Sequence, residues 1–234
     1  MKLEVKHISK SYKKGSPVLQ DISFSLEQGK TLSVIGNSGG GKSTLLKLLA
    51  GYEFPDQGEI LKDGELISSN KYILPPQKRK IGMIFQDYAL FPHLTVDQNI
   101  RFGYDKNSSQ NINELYDLIR LNGFEKRYPN ELSGGEQQRV AIARSLASDP
   151  DIILMDEPFS SIDIVHREEV RMELKELFKQ FGVTVMLVSH DFRDAITLAN
   201  DVLVLESGKA IQNASLDEVV KNPSSDFVAK LFGQ

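Results

Sequence analysis

The chain has 234 residues, 40% of them hydrophobic and 26% charged, a globular composition that excludes disorder as its main state. With 28 Lys plus Arg against 32 Asp plus Glu, the net charge of -4 gives no general attraction to nucleic acid or anionic lipid. The absence of cysteine excludes disulfides and cysteine-ligated metal sites.

The opening MKLEVKHISK carries charges every two or three residues, unlike a signal peptide. Residues 3–8 and 22–26 alternate apolar and polar side chains, as half-exposed antiparallel strands do. Residues 32–35 form a short apolar run, followed by a glycine-rich turn and a helical pattern over Lys42–Ala50 that Gly51 stops. Further helices are predicted over 113–122 (stopped by Gly123), 136–147 and 164–181 (stopped by Gly182). The runs 152–155, 183–188 and 202–205 lack in/out alternation and lie between helical stretches, so they read as buried strands of a mainly parallel sheet. No run approaches the roughly 18–20 apolar residues of a membrane span. The expected fold is α/β in two lobes: residues 1–86 and 150–234 form a core flanked by antiparallel β structure, and the helix-rich 87–149, with a polar loop at 105–111, is inserted into it. Ser215-Leu-Asp-Glu218 has the form of a capping box opening one of two short terminal helices.

Gly36-Asn37-Ser38-Gly39-Gly40-Gly41-Lys42-Ser43 matches G-x-x-x-x-G-K-[ST] between a predicted strand and a predicted helix. Glycines allow several N–H groups to face one point, and the helix terminus adds about half a positive charge there. That point suits a triphosphate, with Lys42 on its β- and γ-phosphates and the Ser43 hydroxyl on Mg²⁺. A glycine-rich turn with a surface lysine is the alternative, and the strand–helix context argues against it.

Leu132-Ser133-Gly134-Gly135-Glu-Gln-Gln-Arg139 resembles the signature of ABC transporter ATPases. Residues 152–158, ending Asp156-Glu157-Pro158, resemble their Walker B strand and its following carboxylate. The resemblance spans essentially the whole chain, with Tyr12, Gln86 in a Q-loop, Ser160-Ser161-Ile162-Asp163 in a D-loop and His190 as switch histidine, all in family order. It implies a P-loop NTPase core with an N-terminal antiparallel β subdomain and an inserted α-helical subdomain. It also implies that Tyr12 stacks on adenine beside Val18, and that residues 36–43 with Thr44 hold the phosphates of ATP. Ser43, Gln86 and Asp156 are then the Mg²⁺ residues, Glu157 the general base, and Gln86 and His190 the groups that sense the γ-phosphate. Ser133, Gly134, Gly135 and Asp163 would act across a head-to-tail dimer, homodimeric or with a homologous ATPase subunit, that sandwiches two ATP molecules.

The residues alone leave alternatives: Tyr12 as a strand-edge core tyrosine, Asp163 as a helix N-cap, His190 as a structural histidine. His7, His93 and His166 lack metal-ligand spacing. Asn37 and Gly40 stand where many members have proline and a small polar residue or alanine, and Ser-Ser-Ile-Asp replaces the commoner Ser-Ala-Leu-Asp.

Tyr88, Leu90, Phe91 and Leu94 lie in a segment similar to the one that receives the coupling helices of bacterial import permeases, with lobe packing as the alternative. The partners implied are transmembrane permease subunits and a substrate-binding protein, with no nucleic acid, at the cytoplasmic face of the membrane. Ferric iron is the first expectation for the solute, and the ending at Gln234 implies that the C-terminal regulatory domain of many relatives is lacking. The competing reading is a soluble ABC switch that remodels a nucleic-acid or protein partner.

Overall fold

The computed structural model describes residues 2–13, 15–104 and 112–233, so the polar loop expected over 105–111 lies outside the described residues. In chain order the elements are β1 (Lys2–Lys13), β2 (Ser16–Glu27), β3 (Thr31–Ile35), α1 (Lys42–Ala50), β4 (Gln57–Lys62), β5 (Glu65–Ser69) and β6 (Ile81–Ile84). Then follow α2 (Val96–Arg101), α3 (Ile112–Leu118), α4 (Gly134–Leu146), β7 (Ile152–Asp156), α5 (Ile164–Phe181) and β8 (Thr184–Ser189). The chain closes with α6 (Phe192–Leu198), β9 (Asp201–Glu206), β10 (Lys209–Ser215), α7 (Leu216–Lys221) and α8 (Asp226–Leu231).

Two sheets result. One is antiparallel, in the order β2-β1-β4-β5. The other runs β10-β9-β3-β8-β7-β6 and is parallel except for β10 at its edge. The continuous apolar runs of its inner strands follow from burial on both faces. Ile152, Leu154, Met186 and Val188 face a core shared with α1 and the antiparallel sheet, through Leu45, Leu46, Leu3 and Ile8. Their neighbours Ile153, Met155, Val185 and Leu187 face the opposite core, built with Val140 and Ile142 of α4 and Leu174 of α5. Each such side chain contributes about 1.5–3 kcal/mol when fully buried. A third cluster seats α7 and α8 on β9, through Val219 and Val228 against Val202 and Val204.

The boundaries of α3 and α4 differ from expectation. α4 begins at Gly134 rather than Glu136, because Ser133 caps it: the Ser133 hydroxyl accepts from the Glu136 N–H, and the Glu136 carboxylate accepts from the Ser133 N–H at 2.7 Å. It ends at Leu146, one residue short. α3 ends at Leu118, before Gly123, because Arg120 already takes the left-handed conformation with φ 52°. α1 and α5 keep their expected bounds, and Ser215 caps α7 by accepting from the Glu218 N–H.

Candidate active site

The parallel strands bring the motif residues together at their C-terminal ends, where ligands of open α/β sheets collect. Ile35 pairs with Ser189, Asp156 with Val188 and Ile84 with Met155. Gly36, Glu157, His190 and Gln86 therefore leave adjacent strand ends. A cavity of about 440 Å³ is lined there by Val18, Ser38, Gly39, Gly41, Lys42, Ser43, Thr44, Gln86, Glu157 and His190.

The curl of the loop rests on glycine at two points. Gly36 lies so close to the Leu205 backbone that a Cβ would meet its carbonyl oxygen at 2.0 Å. Gly41 has φ 95°, and a Cβ there would meet the Val18 carbonyl at 2.6 Å. Gly41 is also the N-cap of α1 and supplies no side-chain acceptor, which leaves the helix terminus to an anion. Within the loop the Gly40 N–H donates to the Asn37 carbonyl at 3.1 Å. The Lys42 ammonium donates to the carbonyls of Gly36 at 2.8 Å and Asn37 at 3.1 Å. Burial draws its pKa below the ordinary value, opposed by the charges of Glu157 and Asp156.

The Ser43 hydroxyl donates to Asp156 Oδ1 at 3.0 Å. Burial lifts the Asp156 carboxyl above its ordinary value, and the charge of Glu157 adds to this, against the Ser43 bond. Two hard oxygen donors so close, with the Gln86 amide on the same cavity, suit Mg²⁺ rather than a soft metal. Glu157 touches His190, with Oε2 2.8 Å from Nδ1. It is held there in a left-handed conformation with φ 48°, its N–H donating to the Val188 carbonyl at 3.0 Å and its carbonyl accepting from the Ser160 hydroxyl at 2.8 Å. Backbone strain on a non-glycine residue at a cavity is a mark of function, and nothing in the sequence signals it.

Tyr12 stands beside the loop, half exposed rather than in the core, which removes the core-tyrosine alternative. Its hydroxyl donates to Glu53 at 2.6 Å, with Thr44 Oγ1 at 3.5 Å, and burial together with the Glu53 carboxylate raises its pKa. Glu53, the acceptor of the Tyr12 hydroxyl, is a residue that the sequence reading did not single out.

The signature residues do not join this cavity. Ser133, Gly134, Gly135 and Asp163 line a separate one of about 320 Å³, with Ile162, His166 and Val170. Asp163 occupies the N-cap position of α5, yet its side chain does not cap the helix. The segment expected to receive coupling helices also divides. Tyr88 is a core residue, 2% exposed, and Leu90 packs on the same core, so both belong to lobe packing. Phe91 remains partly open, its ring 4.3 Å from that of Phe102, which is 65% exposed and was not anticipated. Buried Asn99 fixes this corner: its amide donates to the carbonyls of Phe91, Leu94 and Thr95 at 3.0–3.1 Å and accepts from the Phe91 N–H at 2.9 Å.

Residues 19–160 match the profile of the family described as ABC transporter. The chain belongs to that family. As an ABC ATPase cassette it is 41% identical to the probable sulfate/thiosulfate import ATP-binding protein CysA of Chlorella vulgaris, across all of this chain and 99% of that one. It is 39% identical to the putrescine transport ATP-binding protein PotG of Escherichia coli over 99% of its own length, but spans only 62% of that relative. Among solved structures, the cassette aligns with cbiO1 from Clostridium perfringens, described as part of the ABC transporter complex cbiONQ, at a TM-score of 0.82 and 28% identity, covering 95% of this chain and 91% of that one. It aligns with the ATP-binding cassette MJ0796, a dimer in a post-hydrolysis state bound to ADP and Pi, at a TM-score of 0.75 and 32% identity, covering 92% and 98%. No helix among the described residues is long and apolar enough to cross a membrane.

Proposed function

We propose that this cassette is the ATP-hydrolysing subunit of a membrane importer and works as a head-to-tail dimer that closes on two ATP molecules. The observation that carries the proposal is the placement of the loop residues and the signature residues in two separate cavities of a single chain. The loop cavity holds Lys42, Ser43, Gln86, Glu157 and His190, and the other holds Ser133 to Gly135 at the start of α4. A second copy turned head to tail places the signature of one chain over the loop of the other. ATP then favours the closed state, because its γ-phosphate meets both sets of donors only there.

Within the closed site Lys42 exchanges the Gly36 and Asn37 carbonyls for β- and γ-phosphate oxygens. Ser43, Asp156 and Gln86 would hold Mg²⁺, whose charge offsets that of the phosphates. Glu157 accepts a proton from the attacking water, and His190, already on the Glu157 carboxylate, orients that base and senses the γ-phosphate. Tyr12 presents its ring to adenine beside Val18. Phe91 and Phe102, in ring contact and at least partly open to solvent, are the proposed face for a transmembrane permease, with the cassette at the cytoplasmic side of the membrane and a substrate-binding protein beyond it.

The relatives' names favour transport over a soluble switch and concern small charged solutes, putrescine and sulfate or thiosulfate. Neither names ferric iron, so the iron expectation lacks support, and the proposed cargo class is a small charged solute.

The test compares wild type with Glu157→Gln, sizing each with and without ATP and Mg²⁺ alongside phosphate release. The expected result is an ATP-dependent dimer of the variant with turnover lost. A folded variant that binds ATP and hydrolyses it at the wild-type rate removes Glu157 as the base.

A further inference from the structure

We infer that the buried Arg171–Asp194 pair, together with Ser189 and Asp191, positions the Glu157–His190 dyad for hydrolysis. This rests on the roles given to Glu157 and His190 above. His190 is an exposed imidazole whose one side-chain bond among the described residues is the 2.8 Å contact to Glu157, so its aim depends on the backbone that carries it. That backbone is tied on both sides to one cluster. Before it, the Ser189 hydroxyl donates to Asp194 Oδ2 at 2.5 Å and accepts from the Asp191 N–H at 2.9 Å. After it, Asp191 Oδ2 accepts from Arg171 at 2.8 Å, and the same guanidinium donates through Nε to Asp194 Oδ1 at 2.5 Å.

Arg171 also reaches the loop of the base. Its guanidinium lies 5.6 Å from the centroid of Phe159, two residues beyond Glu157, and Glu157 hangs by its N–H from the carbonyl of Val188, two residues before His190. One side chain, 2% exposed, therefore touches both loops that bear the dyad. A buried ion pair is weak support for stability, since apolar replacements of similar volume are often as stable. Its value here is geometric: planar forked donors fix two carboxylates in direction as well as distance. α5, which carries Arg171, also lines the signature cavity through His166 and Val170.

The deciding variant is Ser189→Ala in the full chain, which deletes the link between strand end, Asp194 and Asp191 while leaving every charge in place. ATPase rates at varied ATP with saturating Mg²⁺ are expected to show kcat about tenfold lower, with KM for ATP within about twofold. Ser189→Thr, which keeps the hydroxyl, restores kcat to within about threefold. Wild-type kcat in a folded Ser189→Ala protein overturns the inference, as does a loss carried by KM or one that threonine does not restore. Should Ser189→Ala fail to fold, Asp191→Asn retains the cap acceptor of α6 and is expected to lose about threefold in kcat at unchanged KM. Wild-type turnover in that variant overturns the inference equally. His190→Ala, run in parallel, separates the two levels. If it keeps wild-type turnover, the role of His190 falls and this inference with it; if it is inactive while Ser189→Ala is unaffected, this inference alone falls.

Discussion

Replacing Arg79 by lysine is expected to lower the unfolding midpoint by about 6–16 °C. Arg79 is 1% exposed, and among the described residues no carboxylate pairs with it. Its guanidinium instead donates to the carbonyls of Leu74 at 2.7 Å, Leu49 at 2.8 Å, Ile67 at 2.9 Å and Leu48 at 3.2 Å, and to the Ser68 hydroxyl at 2.6 Å. These bonds join the C-terminal end of α1, whose other end is the phosphate loop, to β5 and the segment before β6. An ammonium carries three donors at one point and cannot span this fork, so at least two buried acceptors lose their partner, at about 1–3 kcal/mol each. A net cost of about 3–4 kcal/mol, at about 2–4 °C per kcal/mol for a chain of this size, gives the stated shift. Burial draws the Arg79 pKa from its ordinary value down to about 10. A cation with a lowered folded-state pKa gains stability only as pH rises between those values, so the wild-type guanidinium adds no pH dependence near neutrality. The assay is a calorimetric melt of the nucleotide-free chain at neutral pH. A midpoint for Arg79→Lys within about 2 °C of wild type would refute the reasoning, because the fork would then be unnecessary.

Tyr12→Ala is expected to raise the Kd for a fluorescent ATP analogue by about 5- to 150-fold, the worth of one base–aromatic stack, while Tyr12→Phe, which loses only the hydroxyl contacts to Glu53 and Thr44, stays within about threefold. Phe91→Asp is expected to leave basal ATPase within about twofold and abolish solute uptake by the assembled transporter; loss of folding instead would return Phe91 to lobe packing. Asp156, whose carboxyl burial raises above 3.8, favours the proton in the empty site, so Mg²⁺ affinity in the presence of ATP should weaken with acidification before an ordinary carboxylate would titrate. Calorimetry of the nucleotide-free chain in buffers of different ionisation enthalpy should detect proton release on Mg²⁺ binding at a pH above that expected of an ordinary carboxylate. By linkage the same raised pKa favours the empty fold fully only below 3.8, and that contribution is lost as pH climbs through the raised value.

The elements legible in the sequence were those with strong boundaries and continuous burial. α1 and α5 are closed by Gly51 and Gly182, both left-handed, and the inner parallel strands are apolar on both faces. Four strands went unread for physical reasons. β4 buries only Ile60 fully, β5 only Ile67 and Ser68, and β10, at the sheet edge, buries nothing fully, so none displays an apolar stripe. β6 is four residues long and carries Gly82, whose missing Cβ admits the Ser145 hydroxyl. α2 could have been found, because Thr95 and Gln98 form a complete capping box at the spacing that signals a helix start. For the site, residue types and order located the loop, the carboxylates and the histidine. Glu53, Phe102 and Arg171 make contacts with residues elsewhere along the chain that no local pattern encodes. The strain at Glu157 depends on its bond to β8, far along the chain, and is likewise invisible in the local sequence.

The two cavities are distinct but mechanically joined through Ser161, at the position where the family's D-loop commonly has alanine. Its hydroxyl donates to the Gln86 carbonyl at 3.3 Å, on the segment that lines the loop cavity. Its own carbonyl lies where a Cβ on Gly134 would stand at 2.9 Å, so only glycine lets the start of α4 pack this closely. A shift of Gln86 that follows nucleotide or metal therefore meets the signature surface through one residue, by a hydrogen bond on one side and close packing on the other. Gly135 continues the contact toward α5, where its Cβ would touch Val170 at 3.4 Å. In the head-to-tail dimer proposed above, where Ser133 to Gly135 would serve the opposite nucleotide, this packing would give each site a short physical route to the other. The alanine common at this position would keep the packing and lose the hydrogen bond.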